Sequence, residues 1–398
     1  MSWSLAGATV AKPVRTLRIR PTAIEHVGFR DERRLLADQR RWVSTRSRPT
    51  GDIHLAQEPA FRSNKRTLTS DSYTFADVRQ SRGQLGMQAR VDRRAFLRGA
   101  AALAGTACCA RDGRAQTAKT RLILLGTGGG PRPRKSSSAS AQVIVVKGVA
   151  YVVDCGDGVA RQLVFADVPL TDLRNVFITH HHSDHNADYG NLLLLAWAAG
   201  LRTRVDCWGP PPLKKMTQLF FEMNAYDINT RIADEGRIPL VPLVHVHELR
   251  NGGQVMQDEN VTVTAALVRH PPVVPAFGYR FDTADRSIVI SGDTAPSDDL
   301  VRLAKGADVL VHEALYVPGV DRLVARVPNA AALKQSILSH HTAAEDAGRV
   351  AQAAGVKTLV LSHLVPPDDP TVTDQMWIDA ARTHFRGLVI VGKDLLEI

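Results

Sequence analysis

Short apolar runs rich in valine, isoleucine and leucine recur from Arg121 to the end of the chain, each of a length that suits a strand. They occupy 121–125, 142–146, 149–154, 175–178, 204–208, 261–267, 287–290, 308–311, 357–361 and 388–391. Between them, apolar positions three and four apart predict helices over 186–199, 212–223, 298–304, 343–354 and 374–385. The early and late halves each read as a mixed sheet covered by helices. Two such layers face to face make an αβ/βα sandwich whose strand-end loops converge along one edge.

The candidate chemistry sits at those strand ends. Directly after Val176-Phe-Ile178 comes Thr179-His-His-His-Ser-Asp-His185. Side chains two apart on an extended segment point the same way, so His180 and His182 can grip one ion while His181 faces elsewhere. A turn then lets Asp184 and His185 reach a second. Three more candidate ligands follow, each closing its own apolar run: His270, Asp293 and His363. One ion would take His180, His182 and His270, the other Asp184, His185 and His363, with Asp293 between them. Imidazole and carboxylate donors suit Zn²⁺, and also Mn²⁺ or Fe²⁺. A pair of such ions activates a shared water and clamps attacking and leaving oxygens, which is hydrolytic chemistry.

With these residues in order, the chain from Arg121 to Ile398 resembles the metallo-β-lactamase superfamily, most nearly its tRNase Z and arylsulfatase-like branch. The resemblance rests on His180-x-His-x-Asp-His185, Leu124-Leu-Gly-Thr-Gly-Gly-Gly130, Val153-Asp-Cys-Gly-Asp-Gly158 with Arg161-Gln-Leu163, Ser291-Gly-Asp-Thr294, His312-Glu-Ala314 and Ser339-His-His-Thr-Ala-Ala344. It implies the metallo-β-lactamase form of the sandwich and the same ligand set, with Asp184 as the base that orients the attacking water. Glu313 and one of His340 and His341 are implied as auxiliary groups. The tRNase Z motif points to His340 and the arylsulfatase-like form to His341. The glycine run 126–130 lacks the Lys-Ser/Thr of a phosphate loop and reads as a tight turn.

Charge and leader change the substrate expectation. The whole chain is +10, yet residues 1–86 carry 16 Lys+Arg against 8 Asp+Glu, and residues 116–398 carry 28 against 30. The basicity therefore belongs to the N-terminal part. Residues 1–86 read as a disordered basic extension or a mis-assigned start. Residues 87–115, with Arg93-Arg94-Ala-Phe-Leu97, a short Ala/Gly-rich run and Gly113-Arg-Ala115, read as a twin-arginine export signal. Residues 116–398 read as the hydrolase domain. The expectation is an exported enzyme, periplasmic or secreted, that meets the twin-arginine export machinery. It would be cytoplasmic if the leader does not function.

The expected activity is a binuclear zinc hydrolase of small sulfate or phosphate esters, resembling the arylsulfatase-like group. Nucleic acid is not an expected partner, and a homodimer is a further candidate assembly. The alternative is a tRNase Z-like tRNA 3′-processing endoribonuclease or zinc phosphodiesterase; a metal-binding protein without catalysis is a remote third. The resemblance also implies a tRNA-gripping arm between His270 and Asp293, where this chain has room for one β-hairpin. Cys155 and Cys207 sit in apolar runs and read as buried thiols. His245 and His247 alternate on a strand and read as structural, since no carboxylate completes a site nearby. His312 is a candidate support for the site. Trp197, Trp208 and Trp377 read as core or pocket wall.

Overall fold

The computed structural model describes residues 119–327 and 332–398. The expectations placed on residues 1–86 and 87–115 lie outside the described residues. Within them the chain forms two mixed sheets with helices on both outer faces. This is the αβ/βα sandwich expected from the apolar runs.

The first sheet holds β1 (Arg121–Gly126), β2 (Ala141–Val146), β3 (Val149–Val153), β4 (Leu173–Phe177), β5 (Val205–Gly209) and β6 (Val244–Glu248) in that spatial order. Antiparallel pairing of β1 to β3 gives way to parallel pairing from β3 to β6. The second contains β7 (Gly253–Gln257), β8 (Val261–Leu267), β9 (Phe277–Thr283), β10 (Ser287–Ile290), β11 (Val309–Leu315), β12 (Thr358–Val365) and β13 (Leu388–Val391). It is antiparallel from β7 to β10 and parallel from β10 to β13.

Strands buried on both faces read as unbroken apolar runs, and alternate residues serve different layers. Leu122 and Leu124 of β1 face the second sheet, while Ile123 and Leu125 face the helices. In β12, Val360 lies between the sheets and Leu359 and Leu361 pack under the outer helices. Cys155 and Cys207 are free buried thiols, as expected.

Around the first sheet run α1 (Val159–Phe165), α2 (Ser183–Asn186), α3 (Tyr189–Ala198), α4 (Leu213–Met223) and α5 (Ala225–Glu235). Around the second run α6 (Asp298–Leu303), α7 (Val317–Val324), α8 (Leu333–His340), α9 (Ala344–Ala354) and α10 (Asp374–Arg382). The helix expected over 186–199 is two pieces, because the first turn after His182 serves the site and the chain restarts at Tyr189. Helices α1, α5, α7 and α8 and strand β7 were not expected. All but α1 have few buried positions, so no long apolar stripe marks them in the sequence. His247 also corrects the sequence reading. It stacks on Trp208 with ring centroids 3.9 Å apart and pairs with Asp206 Oδ1 at 2.7 Å. Its partner carboxylate comes from the adjacent strand, and the role is structural.

Parallel strands end together, so their carboxyl ends open one crevice. Gly292, just after β10, holds the turn into that crevice. Its φ is +59°, and an added Cβ would lie 2.7 Å from the Phe277 carbonyl oxygen. Gly292→Ala is expected to destabilise the metal-free protein by roughly 1–3 kcal/mol, read as a lower urea midpoint at unchanged slope. An unchanged midpoint would show that the turn relaxes freely.

Candidate metal centre

After β4 the chain continues extended, with the Thr179 amide bonded to Asp154 Oδ1 at 2.8 Å and the Thr179 carbonyl accepting the Phe277 amide at 2.9 Å. This anchorage from both sheets sets the direction of the histidines that follow. His180 and His182 turn into the crevice. His181 turns away, accepting from the Asn186 side-chain amide and bonding the Pro210 carbonyl. The turn of α2 then delivers Asp184 and His185, as its spacing predicts.

The ring nitrogens of the first group converge. His182 Nδ1 lies 3.0 Å from His180 Nε2 and 3.1 Å from His270 Nε2. A tetrahedral ion with ligand bonds of ~2.0–2.1 Å separates its ligand atoms by ~3.3 Å, so this spacing suits one ion. In the second group His185 Nε2 is 3.2 Å from Asp293 Oδ1, and His363 Nε2 is 3.2 Å from both Asp184 Oδ2 and Asp293 Oδ2. The donor atoms of His180, His182, His270 and Asp293 all lie within 4.8 Å of one another, as do those of Asp184, His185, Asp293 and His363. Asp293 alone belongs to both groups. His185 Nε2 and Asp293 Oδ1 are buried without a hydrogen-bond partner, the condition expected of atoms built to meet a cation.

The outer nitrogens explain why the inner ones are free. His180 Nδ1 meets Thr179 Oγ1 at 3.0 Å, His185 Nδ1 meets Asp154 Oδ2 at 2.7 Å, and His270 Nδ1 donates to the His340 carbonyl at 3.1 Å. Such contacts fix ring orientation and tautomer. Burial holds His180 well below the ordinary imidazole range and takes His270 down to about 4, so both stay neutral with lone pairs available. For His185 burial also pushes down, but Asp293, Asp154 and Asp184 outweigh it and the ring is pushed up. Metal binding there requires that proton to leave. The donor set and its spacing fit two divalent cations.

The ambiguity between the two adjacent histidines is resolved by backbone direction. His340 ends α8 with its side chain against Ser336, and offers the site only its carbonyl. His341 is extended and turns inward, with Nδ1 2.8 Å from Glu313 Oε2 and 3.8 Å from Asp293 Oδ2. Burial would lower this imidazole, but Glu313, by charge and hydrogen bond, and Asp293 lift it to about 9. His312, next to Glu313, is buried and faces away, its Nδ1 on the Glu313 carbonyl.

Two features were missed in the sequence. Asp154, closing β3 at a positive φ, holds both Thr179 and His185. An aspartate at the end of an apolar run is the same signal that marked Asp293. The glycine run is more than a turn, since the Gly130 amide donates to Asp184 Oδ2 at 2.8 Å and a Cβ on Gly129 would lie 2.7 Å from His363 Nδ1. Only backbone fits against that imidazole. Asp154→Ala is expected to weaken metal affinity ~10–100-fold, measured by chelator competition. Affinity equal to wild type would remove Asp154 from the site.

The crevice opens into a cavity of about 280 Å³ lined by His182, Asp184, Asp293, His341 and His363, with Arg132 and Arg134 at one side. A model of the beta-lactamase superfamily domain matches residues 150–364. The chain is 33% identical over 280 residues to a ribonuclease Z of Mycobacterium bovis (strain BCG / Pasteur 1173P2), covering 70% of this chain and 97% of that protein. It is 35% identical over 277 residues to one from Mycobacterium sp. (strain KMS), covering 69% and 94%. The chain belongs to the metallo-β-lactamase superfamily, in its ribonuclease Z branch.

Solved structures agree on the fold. The metallo-beta-lactamase fold protein YhfI from Bacillus subtilis superposes with a TM-score of 0.53 at 20% identity, covering 70% of this chain and 98% of that one. Human tRNase Z, short form, gives 0.50 at 23% identity with the same coverage. The chain is thus a hydrolase of metallo-β-lactamase fold carrying a metal-ligand cluster.

Proposed function

We propose that this protein is a zinc-dependent phosphodiesterase of the ribonuclease Z type, cleaving RNA. The observation that carries this reading is the identity of about one third to the two mycobacterial ribonucleases Z, sustained over 94% and 97% of their lengths. The expectation that nucleic acid is not a partner gives way here. A net charge summed over the domain averages out local fields, and Arg132 and Arg134 stand at the cavity where a phosphate would enter.

Zinc at the two donor groups would supply a water of lowered pKa and charge stabilisation at the scissile phosphate. The chain's own groups do the rest. Asp184 Oδ2 takes the Gly130 amide and lies on the ligand side beside His363 Nε2, which leaves Oδ1 to accept the proton of the attacking water. His341 gives Nδ1 to Glu313, so Nε2 is the atom that delivers a proton to the leaving oxygen.

One observation favours a second reading, hydrolysis of small sulfate or phosphate esters. Between His270 and Asp293 the chain forms only the β9–β10 hairpin, with Thr283 bonded to Arg286 across the turn, and no arm. The test is a panel on the zinc-loaded full chain: a pre-tRNA, bis(p-nitrophenyl) phosphate, an aryl sulfate and a β-lactam. Cleavage of the pre-tRNA and the phosphodiester is expected. Turnover of the aryl sulfate alone would overturn the phosphodiesterase reading.

A further inference from the structure

The cavity has a wall that the hydrolytic chemistry does not use. Helices α7 and α8 lie between Glu313 and His341 in sequence, and Leu323, Val327, Leu333 and Ile337 from this hairpin line the cavity facing the metal-ligand cluster. All four are half-buried, so their apolar surface is partly open. The wall is held in place. Arg322 of α7 bonds Asp369 Oδ2 at 2.7 Å, and a Cβ on Gly319 would fall 2.7 Å from Pro366 Cγ, so α7 rests directly on the segment after β12.

The rest of the cavity is the chemical opposite. Asp184, Asp293 and His341 line it too, with Arg132 and Arg134, the latter fixed by Nη2 on the Gly129 carbonyl at 2.8 Å. A substrate must therefore be divided in the same way. Its anionic ester belongs at the ligand cluster, and the apolar part of the substrate lies along the hairpin. A hydroxyl or second phosphate held against it would lose water without gaining a partner. A flat aromatic ring loses nothing and removes apolar surface from water. At about 280 Å³ the cavity is near the small end of ligand pockets, so it admits one aromatic group and not several.

We propose that the α7–α8 hairpin is the specificity element of this site, with Leu323, Val327, Leu333 and Ile337 receiving a single aromatic group of the phosphoester substrate. The inference rests on the phosphoester reading of the site. The ring can be a nucleobase carried on its sugar or a plain aryl group.

Affinity, not turnover, tests it. Phenylphosphonate and methylphosphonate, titrated calorimetrically into the zinc-loaded full chain, present the same anion with and without a ring. Phenylphosphonate is expected to bind about 10–100-fold more tightly to wild type. The Leu323→Ser, Ile337→Ser double variant should erase that preference while leaving methylphosphonate affinity unchanged. Ile337→Trp, which fills the cavity without removing apolar surface, should weaken phenylphosphonate alone and covers the case in which the double variant fails to fold. Comparing uridine 5′-monophosphate with ribose 5-phosphate then separates the sources. Tighter binding of the nucleotide identifies a base, and equal binding identifies a plain aryl group. Equal affinity for the two phosphonates in wild type would overturn the proposal, as would a preference that survives in both variants. Because these readouts need no cleavage, inactivity on every phosphodiester would remove the proposed function and leave the wall's preference to be judged separately.

Discussion

Asp293→Ala is expected to leave the protein with less than one bound metal per chain, where wild type takes up about two. Turnover should fall well beyond the ~10–100-fold typical of losing an outer partner of a metal ligand. The reason is position. Asp293 Oδ1 faces His185 Nε2 at 3.2 Å, while Oδ2 lies 3.2 Å from His363 Nε2 and 3.8 Å from His180 Nε2. No other side chain belongs to both donor groups. Its removal also leaves Asp184 as the only carboxylate among the six remaining candidate ligands, so two dications would crowd together with little compensating charge. His363→Ala touches one group only and should lower uptake by about one ion. Elemental analysis after reconstitution and dialysis reads both. An Asp293→Ala protein that keeps its full metal complement would show that the two groups are not joined through this residue.

The second large effect separates adjacent residues. His341→Ala is expected to lower kcat about 10²–10⁴-fold, the usual contribution of a positioned proton donor, with metal content unchanged. His340→Ala should stay within a factor of about two. His340 serves the site through its carbonyl, which bonds His270 Nδ1 and survives truncation of the side chain. Glu313→Gln should reproduce much of the His341 effect, since Glu313 Oε2 holds His341 Nδ1 at 2.8 Å and sustains its raised proton affinity. Rates measured alongside metal content decide the matter. Equal losses for the His340 and His341 variants would mean that the segment acts through backbone placement, and the proton-donor role of His341 would fall.

The expectation that domain charge rules out nucleic acid shows the limit of summed quantities. Residues 116–398 carry 28 Lys+Arg against 30 Asp+Glu, and that sum is unaffected by where two arginines stand. What a phosphate meets is the local field at the cavity, where Arg132 and Arg134 stand beside the ligand cluster.

What the chain discloses by itself is whatever is encoded over a few neighbouring residues. Strands buried on both faces, such as β1 and β10, declare themselves as unbroken apolar runs, and β8 by its alternation of valine with threonine, so each is legible almost to the residue. The cluster from His180 to His185 is legible for a related reason, since the pleat and one turn of helix determine which of its side chains share a direction. Its partners His270, Asp293 and His363 are legible because parallel strands end on one edge, which makes position at a strand end a spatial statement.

Tertiary structure decided what depends on contacts between distant segments. Asp154 and Gly130 act on His185 and Asp184 across 31 and 54 residues, and no local period carries that information. The choice of His341 over His340 turns on where α8 stops, a one-residue matter settled by the packing of the following strand-like segment against β11. The hairpin wall was equally hidden. Both helices span only eight residues, too few to stand out in a sequence, and only the folded cavity shows that their apolar residues face the same place as the metal ligands.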